Sequence, residues 1–121
     1  MHAALRAYLL SVTPNIAWNT RPQATGLPAI VLQQVSGAVD EHFEGRFSAQ
    51  EARVQLDIFG ETFAQAQALY AGVEARLSQP FQQGGWAIKC FIDSRRDTAE
   101  QAASRTIHRI SIDLITWHKE L

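Results

Sequence analysis

The sequence has little cysteine, no long apolar run and no excess of charge of either sign. Cys90 is the single cysteine in 121 residues, which excludes an intrachain disulfide and fits a reducing compartment. No stretch approaches the roughly 20 uninterrupted apolar residues of a membrane-spanning helix, and the N-terminal segment lacks the pattern of a signal peptide. We therefore expect a soluble protein, made in the cytoplasm, without a membrane partner.

The charge balance limits the function classes. Eleven basic residues against 12 acidic ones give a net charge of -1, so no overall basic field favours sequence-independent nucleic-acid binding. Hydrophobic residues make up 46% and charged residues 19%, the balance of a globular protein. The length is that of one domain, residues 1–121.

Hydrophobic periodicity predicts a short N-terminal helix over residues 3–12 and a second helix over residues 63–77. Thr62, followed three residues later by Gln65, is typical of a helix start, and Pro80 ends the pattern. Strands are predicted over residues 29–37, 53–59, 86–92 and 105–118, with residues 16–18 as a candidate fifth. The order α-β-β-α-β-β predicts an α+β fold, an antiparallel sheet of four to five strands with two helices packed on one face.

Two of the predicted strands share an alternating polar pattern: Arg53, Gln55 and Asp57 on one, and Arg109, Ser111 and Asp113 on the other. One antiparallel register pairs the first and last members of these two rows crosswise, Arg53 with Asp113 and Asp57 with Arg109, and sets Gln55 opposite Ser111. The same register sets Val54 against Ile112 and Leu56 against Ile110 on the core side. The row is expected to form a hydrated sheet face. Either it is simply solvated, or it meets a partner or lines an aqueous channel.

The motifs of catalysis and metal binding are missing from the sequence. It has no H-x-x-x-H or C-x-x-C spacing, no G-x-S-x-G elbow and no phosphate-binding glycine loop. Cys90 is expected to be a buried, inert thiol in a strand. We therefore predict no catalytic residues, no metal and no cofactor. A small stand-alone α+β enzyme or ligand-binding protein of unknown substrate stays as the alternative, and a nucleic-acid-binding module as a third.

The predicted loops are rich in aromatic residues and arginine, the types enriched at protein interfaces. These candidate assembly contacts are Trp18, Arg21, Phe43, Arg46, Phe47, Arg95 and Arg96. Because they lie on long or polar connections, together they favour an oligomer.

Three segments resemble the small tail-completion or tail-terminator proteins of long-tailed bacteriophages and related prophage or gene-transfer particles. The first is RPQATGLPAIVLQQVSG, where a Pro-Gln loop leads into a proline-started apolar strand. The second is ARVQLDIFGETFAQAQALYAGVEARL, a strand, a short turn and an alanine-rich helix. The third is RTIHRISIDLITWHKE, a last strand with an aspartate followed by an aromatic residue. Together the three segments cover about half of the chain.

The resemblance implies a non-enzymatic virion protein that assembles as a ring, typically a hexamer, at the head-proximal end of the tail. Such a ring caps the tail tube, ends its polymerisation and joins it to the head-completion or connector protein. DNA only passes through the lumen. The polar row of Arg53, Gln55, Asp57, Arg109, Ser111 and Asp113 would then lie in the lumen or between subunits.

Overall fold

The computed structural model describes residues 2–13, 15–19, 27–37, 50–102 and 105–121. Over these ranges two helices and six strands follow in this order: α1 (His2–Leu9), β1 (Ile16–Trp18), β2 (Ala29–Gly37), β3 (Gln50–Gly60), α2 (Phe63–Leu77), β4 (Phe81–Gln83), β5 (Trp86–Ala102) and β6 (Arg105–Glu120). The predicted α+β class is confirmed in its coarse form, while the strand number differs from the prediction.

The strands form one mixed sheet in the order β1-β2-β3-β6-β5-β4. β1 pairs with β2 in parallel, and the other neighbours pair antiparallel. The prediction of four to five strands in a purely antiparallel sheet is therefore wrong. The candidate strand at residues 16–18 is confirmed, but β4 was missed because three residues are too few to show an alternating pattern.

A two-residue turn at Gly84 and Gly85 joins β4 to β5. Their φ angles are +56° and +82°, in the left-handed region that glycine adopts at low cost. Such a turn matches the twist of a tight hairpin, and Gln83 accordingly pairs with Trp86 across it.

β5 continues well beyond its predicted end at Ile92. The register shifts between Ile92 and Ser94, so Asp93 is an extra residue in the strand, and pairing with β6 then resumes as far as Ala102. The polar connection predicted there is thus strand. Its side chains are polar on both faces, so the sequence lacks the apolar alternation that marks a strand.

α2 begins where its capping pattern predicts. Thr62 lies outside the helix in extended geometry, and its Oγ1 accepts a hydrogen bond from the Gln65 backbone N–H at 3.0 Å. The Gln65 side chain in turn accepts from the Glu61 N–H at 2.7 Å. The Gln65 N–H, one of the N-terminal donors of the helix, and the N–H of the residue before the cap are thereby both satisfied. The predicted bounds of α2 are confirmed, whereas α1 ends at Leu9, three residues before its predicted end at Val12.

The core lies between the two helices and one face of the sheet. Buried residues of both helices meet alternate residues of the central strands, as the period of two in a strand requires. The central members are Leu5 and Leu9 of α1, Ala66, Leu69 and Val73 of α2, Leu32 of β2, Val54, Leu56 and Ile58 of β3, and Ile110, Ile112 and Leu114 of β6. The predicted placement of both helices on one face is thus confirmed.

Gly60 lies at the close approach of β3 to the start of α2. A Cβ atom there would lie 2.8 Å from the Ala66 backbone nitrogen and 3.0 Å from the Thr62 carbonyl oxygen. Because both atoms are backbone, neither can rotate away. Gly60→Ala should therefore lower the free energy of unfolding by about 1–3 kcal/mol, the usual cost of overpacking, measured by urea denaturation.

Gly85→Ala is an unsuitable control because its φ is positive, so the matched control is Ala99→Gly on the exposed part of β5. It changes the same methyl group where no tight packing depends on it. We expect an effect of about 1 kcal/mol or less, from backbone entropy in a strand. Equal losses in the two variants would contradict the steric explanation.

Candidate functional site

The sheet face turned away from the helices carries the polar row that the sequence singles out. We call this surface the second face: Arg53, Gln55 and Asp57 of β3, the odd-numbered residues 107–117 of β6, and the β5 residues opposite them. Their neighbours in sequence, such as Leu56 and Ile112, point into the core. The alternation of the strands therefore places the whole row on one surface.

Asp57 is the centre of a hydrogen-bonded cluster on this face. Its carboxylate accepts from the Ser111 hydroxyl at 2.6 Å, from Nη2 of Arg109 at 2.8 Å and from Nε2 of Gln55 at 3.1 Å. Burial alone would lower the pKa of Arg109, but the hydrogen bond and charge of Asp57 raise it above its ordinary value. The cluster is therefore a charge-assisted network fixed in position by three donors.

The predicted pairing of the two polar strands is confirmed, but the predicted register is wrong by two residues. Asp57 lies opposite Ser111, and Gln55 lies opposite Asp113. A shift of two residues keeps every side chain on its face, so the polar and apolar patterns fit both registers equally well. Arg109 still reaches Asp57, along the diagonal between neighbouring pairs.

The sequence predicted a polar row that is hydrated along its whole length, and the structure differs at two positions. Asp57 and Ser111 are buried, at 3% and 6% relative exposure, whereas Arg53 is exposed. Burial of a carboxylate is tolerated here because hydrogen bonds and a counter-charge replace its water. The expectation of a uniformly hydrated face is therefore wrong at these two positions.

Two further arginines of the second face are also paired with carboxylates. Arg53 lies 3.4 Å from Asp93, and Arg96 lies 3.5 Å from Asp113, whose carboxylate also accepts from Ser94 at 2.8 Å. A further ion pair joins Arg109 to Glu100 at 3.5 Å. These exposed pairs contribute little to stability, but they neutralise the surface locally.

One end of the second face is apolar, a feature that the sequence reasoning missed. Phe91 and Trp117 are 44% and 40% exposed, and Ile115 lies directly opposite Phe91. The ammonium of Lys89 lies 4.9 Å from the centroid of the Phe91 ring. The signal was present in the sequence, since the alternation that places Asp113 on this face continues to Ile115 and Trp117.

The three predicted assembly contacts that the structure describes, Trp18, Arg95 and Arg96, do not lie on one surface. Arg21, Phe43, Arg46 and Phe47 lie outside the described residues. Trp18 packs against the core, and its indole N–H donates to the His2 carbonyl at 3.2 Å.

Arg95 and Arg96 lie on opposite faces of β5. Arg95 is on the helix side, bonded to Asp97 at 2.8 Å and to Gln67 at 2.7 Å, with its guanidinium 4.4 Å from the Tyr70 ring centroid. The hydrogen bond to Asp97 raises the pKa of Arg95 above its ordinary value. Arg95 is therefore engaged within the chain, and of the two only Arg96 belongs to the second face.

Cys90 packs in the core beside Thr116, with its sulfur 3.7 Å from the Thr116 hydroxyl. Burial raises the pKa of the Cys90 thiol to about 11, so it is protonated at neutral pH and unreactive. Within the described ranges, no group of three or more His, Cys, Asp or Glu residues could hold a metal ion. No helix in the described part of the chain is long and apolar enough to cross a membrane.

Several solved structures share the fold. A chain of the virion of a native gene transfer agent particle superposes with a TM-score of 0.62 at 12% identity, over 98% of this chain and 93% of that one. A second structure, which carries no functional description, superposes with a TM-score of 0.59 at 15% identity, over 99% and 94%. None of the curated proteins compared matches the sequence. At such identities the likeness defines a common α+β fold.

The family model described as "Tail completion protein gp17" matches residues 1–119. The chain therefore belongs to the tail completion protein gp17 family, and it is a structural protein of a phage-type tail. The family resemblance read from the sequence is confirmed.

Proposed function

We propose that this chain forms a ring that caps the head-proximal end of the tail tube. The ring stops polymerisation of the tube at its last layer and presents the surface to which the head is joined. Its partners are further copies of the chain, typically six in a ring according to the family resemblance, together with the tail-tube protein and a head-completion or connector protein. The protein resides in the virion, its single domain acts without a catalytic step, and DNA only passes through the lumen.

The charge pairing of the second face is the observation that carries this proposal beyond family membership. Free lysines and arginines along a DNA path would bind phosphates and release counterions. On the second face Arg53, Arg96 and Arg109 are each held by a carboxylate, whereas Lys89 lies over the Phe91 ring. Such a surface suits a bore through which DNA passes, and equally a contact between subunits.

The apolar end of the second face supports a role in assembly. Exposed aromatic residues are enriched where proteins contact one another, and Phe91 and Trp117 expose large rings beside Ile115. The likeness to a chain of a gene transfer agent virion fits the same role.

Electron microscopy of particles made without the protein tests the proposal. We expect tails of irregular length that are not attached to filled heads. The control is the same strain supplied with the unsubstituted chain, which should restore attachment and uniform length. Tails of normal length joined to heads in the absence of the protein would refute both parts of the role. Irregular tails that still join heads would refute the joining surface alone.

A further inference from the structure

The outer edge of β5 is open beyond its contact with β4. β4 pairs with β5 only at residues 86–88, and among the described residues no further strand lies beside residues 89–102. Along residues 96–101 the side chains on both faces of this strand are exposed. Unpaired backbone N–H and C=O groups on such an edge are a template for another strand.

The charged side chains of this segment are arranged about Thr98. Arg96, Thr98 and Glu100 lie opposite odd-numbered residues of β6 and therefore belong to the second face, whereas the odd-numbered residues 95–101 of β5 lie on the helix side. Arg96 and Glu100 are thus equally far from Thr98, on the same face and with opposite charge. Both side chains are more than half exposed, so both can reach a strand placed beside the edge.

Two copies of this edge can pair with each other around a two-fold axis perpendicular to the sheet. Such an axis makes the two β5 strands antiparallel and keeps the helices of both copies on one side. Because directly opposed side chains point to the same face, the axis must pass through a residue and not between two residues. Each position of the axis therefore gives one register, which can be judged by the charges it opposes.

Of the axes at positions 95–101, only the one at Thr98 opposes unlike charges without also opposing like ones. An axis through a charged residue, at position 95, 96, 97 or 100, places that residue opposite its own copy, and like charges directly opposite are destabilising. The axis at Thr98 places Arg96 opposite Glu100 of the second copy, and Glu100 opposite its Arg96. Axes at the remaining two positions oppose no charges.

Nothing described along β5 obstructs this register. Ser94 lies opposite position 102 of the second copy, where its β5 ends. β4 stops at Ile88, so residues 89–93 separate it from the paired stretch. On the helix side the register opposes arginine to glutamine and aspartate to alanine, and therefore no two like charges.

We propose that two copies of the free chain pair along residues 94–102 of β5, around a two-fold axis at Thr98, and so cover the open edge. The contact joins identical surfaces, so it closes after two copies and does not build a ring. It therefore belongs to the chain before assembly and goes beyond the capping role proposed above. The partner is a second copy because the complementary charges are present in the edge itself.

Sedimentation equilibrium of the purified chain tests the pairing. The unsubstituted chain should form a dimer of twice its mass of 13.5 kDa. Arg96→Glu or Glu100→Arg turns both cross-strand ion pairs into like-charge contacts, because the two-fold axis repeats each substitution. We expect either variant to raise the dissociation constant about tenfold or more. Glu120→Arg is the matched control, since it reverses an exposed charge at the far end of β6 and should leave the dissociation constant unchanged.

A mixture of the two variants gives the sharpest result. In a mixed pair the Arg96→Glu chain carries glutamate at both positions and the Glu100→Arg chain carries arginine at both, so unlike charges are opposed again. The equimolar mixture should therefore dimerise with a dissociation constant close to that of the unsubstituted chain. Altered folding of either variant could not produce this recovery.

Thr98→Cys provides an independent measurement. In the proposed register this cysteine lies opposite its own copy, and a disulfide needs Cα atoms about 4.4–6.8 Å apart, which neighbouring strands satisfy. The variant should oxidise to a covalent dimer much faster than Gln101→Cys. The two copies of residue 101 would lie about 20 Å apart along the strands, at roughly 3.4 Å per residue.

The outcomes separate this inference from the proposed function. A chain that stays monomeric, a dimer that neither charge reversal weakens, or a mixture that does not recover would overturn the edge pairing. If the free chain is monomeric and the charge-reversed variants fail to enter particles, the edge binds another tail protein and the second copy is wrong. The capping role does not depend on the free pair, and electron microscopy of the particles decides it separately.

Discussion

Asp57→Ala should lower the free energy of unfolding by about 3–5 kcal/mol, the cost of breaking a buried ion pair by removing one partner. The side chain of Asp57 is only 5% exposed, and its carboxylate bonds Ser111, Arg109 and Gln55. Alanine would leave the guanidinium of Arg109, itself 30% exposed, without its closest counter-charge. Since domains are stable by about 5–15 kcal/mol in total, this variant should be close to unfolding.

Two further variants separate charge from hydrogen bonding. Asp57→Asn keeps an oxygen acceptor for Ser111 but removes the negative charge beside Arg109. It should therefore lower the free energy of unfolding by less than Asp57→Ala and by more than the control. The control is Asp93→Ala, which breaks the exposed pair with Arg53 and should cost less than about 1 kcal/mol. The midpoints of urea denaturation compare the stabilities of the three variants, provided that the free energy of unfolding falls with urea concentration at the same slope in each. A loss in Asp57→Ala as small as in Asp93→Ala would contradict the structural role of the cluster.

Leu56→Ala should cost about 2–5 kcal/mol, the range for truncating a fully buried leucine. Leu56 is 0% exposed at the centre of the sheet, with Leu32 on one side and Ile112 on the other. All three belong to the core beneath the helices. The cavity would lie among strands that are paired on both sides, so the surroundings can collapse only in part.

Two controls accompany this variant in thermal or urea unfolding. Leu56→Met keeps nearly the same volume and should cost less than about 1.5 kcal/mol. Val35→Ala, at a residue 60% exposed, should change stability by no more than about 0.5 kcal/mol. If Leu56→Ala behaved like Val35→Ala, the central position of β3 in the core would be refuted.

Stability and assembly can be tested separately because they depend on different surfaces. Asp57 and Leu56 hold the scaffold together, whereas Phe91 and Trp117 face outwards. A variant that weakens assembly without lowering the unfolding midpoint therefore marks a contact residue. A variant that weakens assembly and also lowers the unfolding midpoint identifies a residue that stabilises the fold.

Local patterns in the sequence were sufficient for several elements. The bounds of β2 and α2 follow from β-branched residues between Pro28 and Gly37, and from the capping pattern with an apolar stripe that ends before Pro80. Such signals depend on residues that are near in sequence, so no knowledge of the whole fold is needed. β4 was missed because three residues are too few to show an alternating pattern, and the second half of β5 because its side chains are polar on both faces.

In the candidate site, too, some features follow from the sequence and others only from the tertiary structure. The sequence by itself determined which side chains share the second face, because side chains alternate with a period of two along each strand. The matching polar rows also predicted that the strands of Asp57 and Arg109 are antiparallel neighbours, which the structure confirms. Only the tertiary structure decided the register, since a shift of two residues leaves every face unchanged. The register of β3 and β6 buries Asp57 beside Ser111, and the register of β5 and β6 brings Phe91 against Ile115. Strand pairing, and not the alternation within one strand, sets which residues meet.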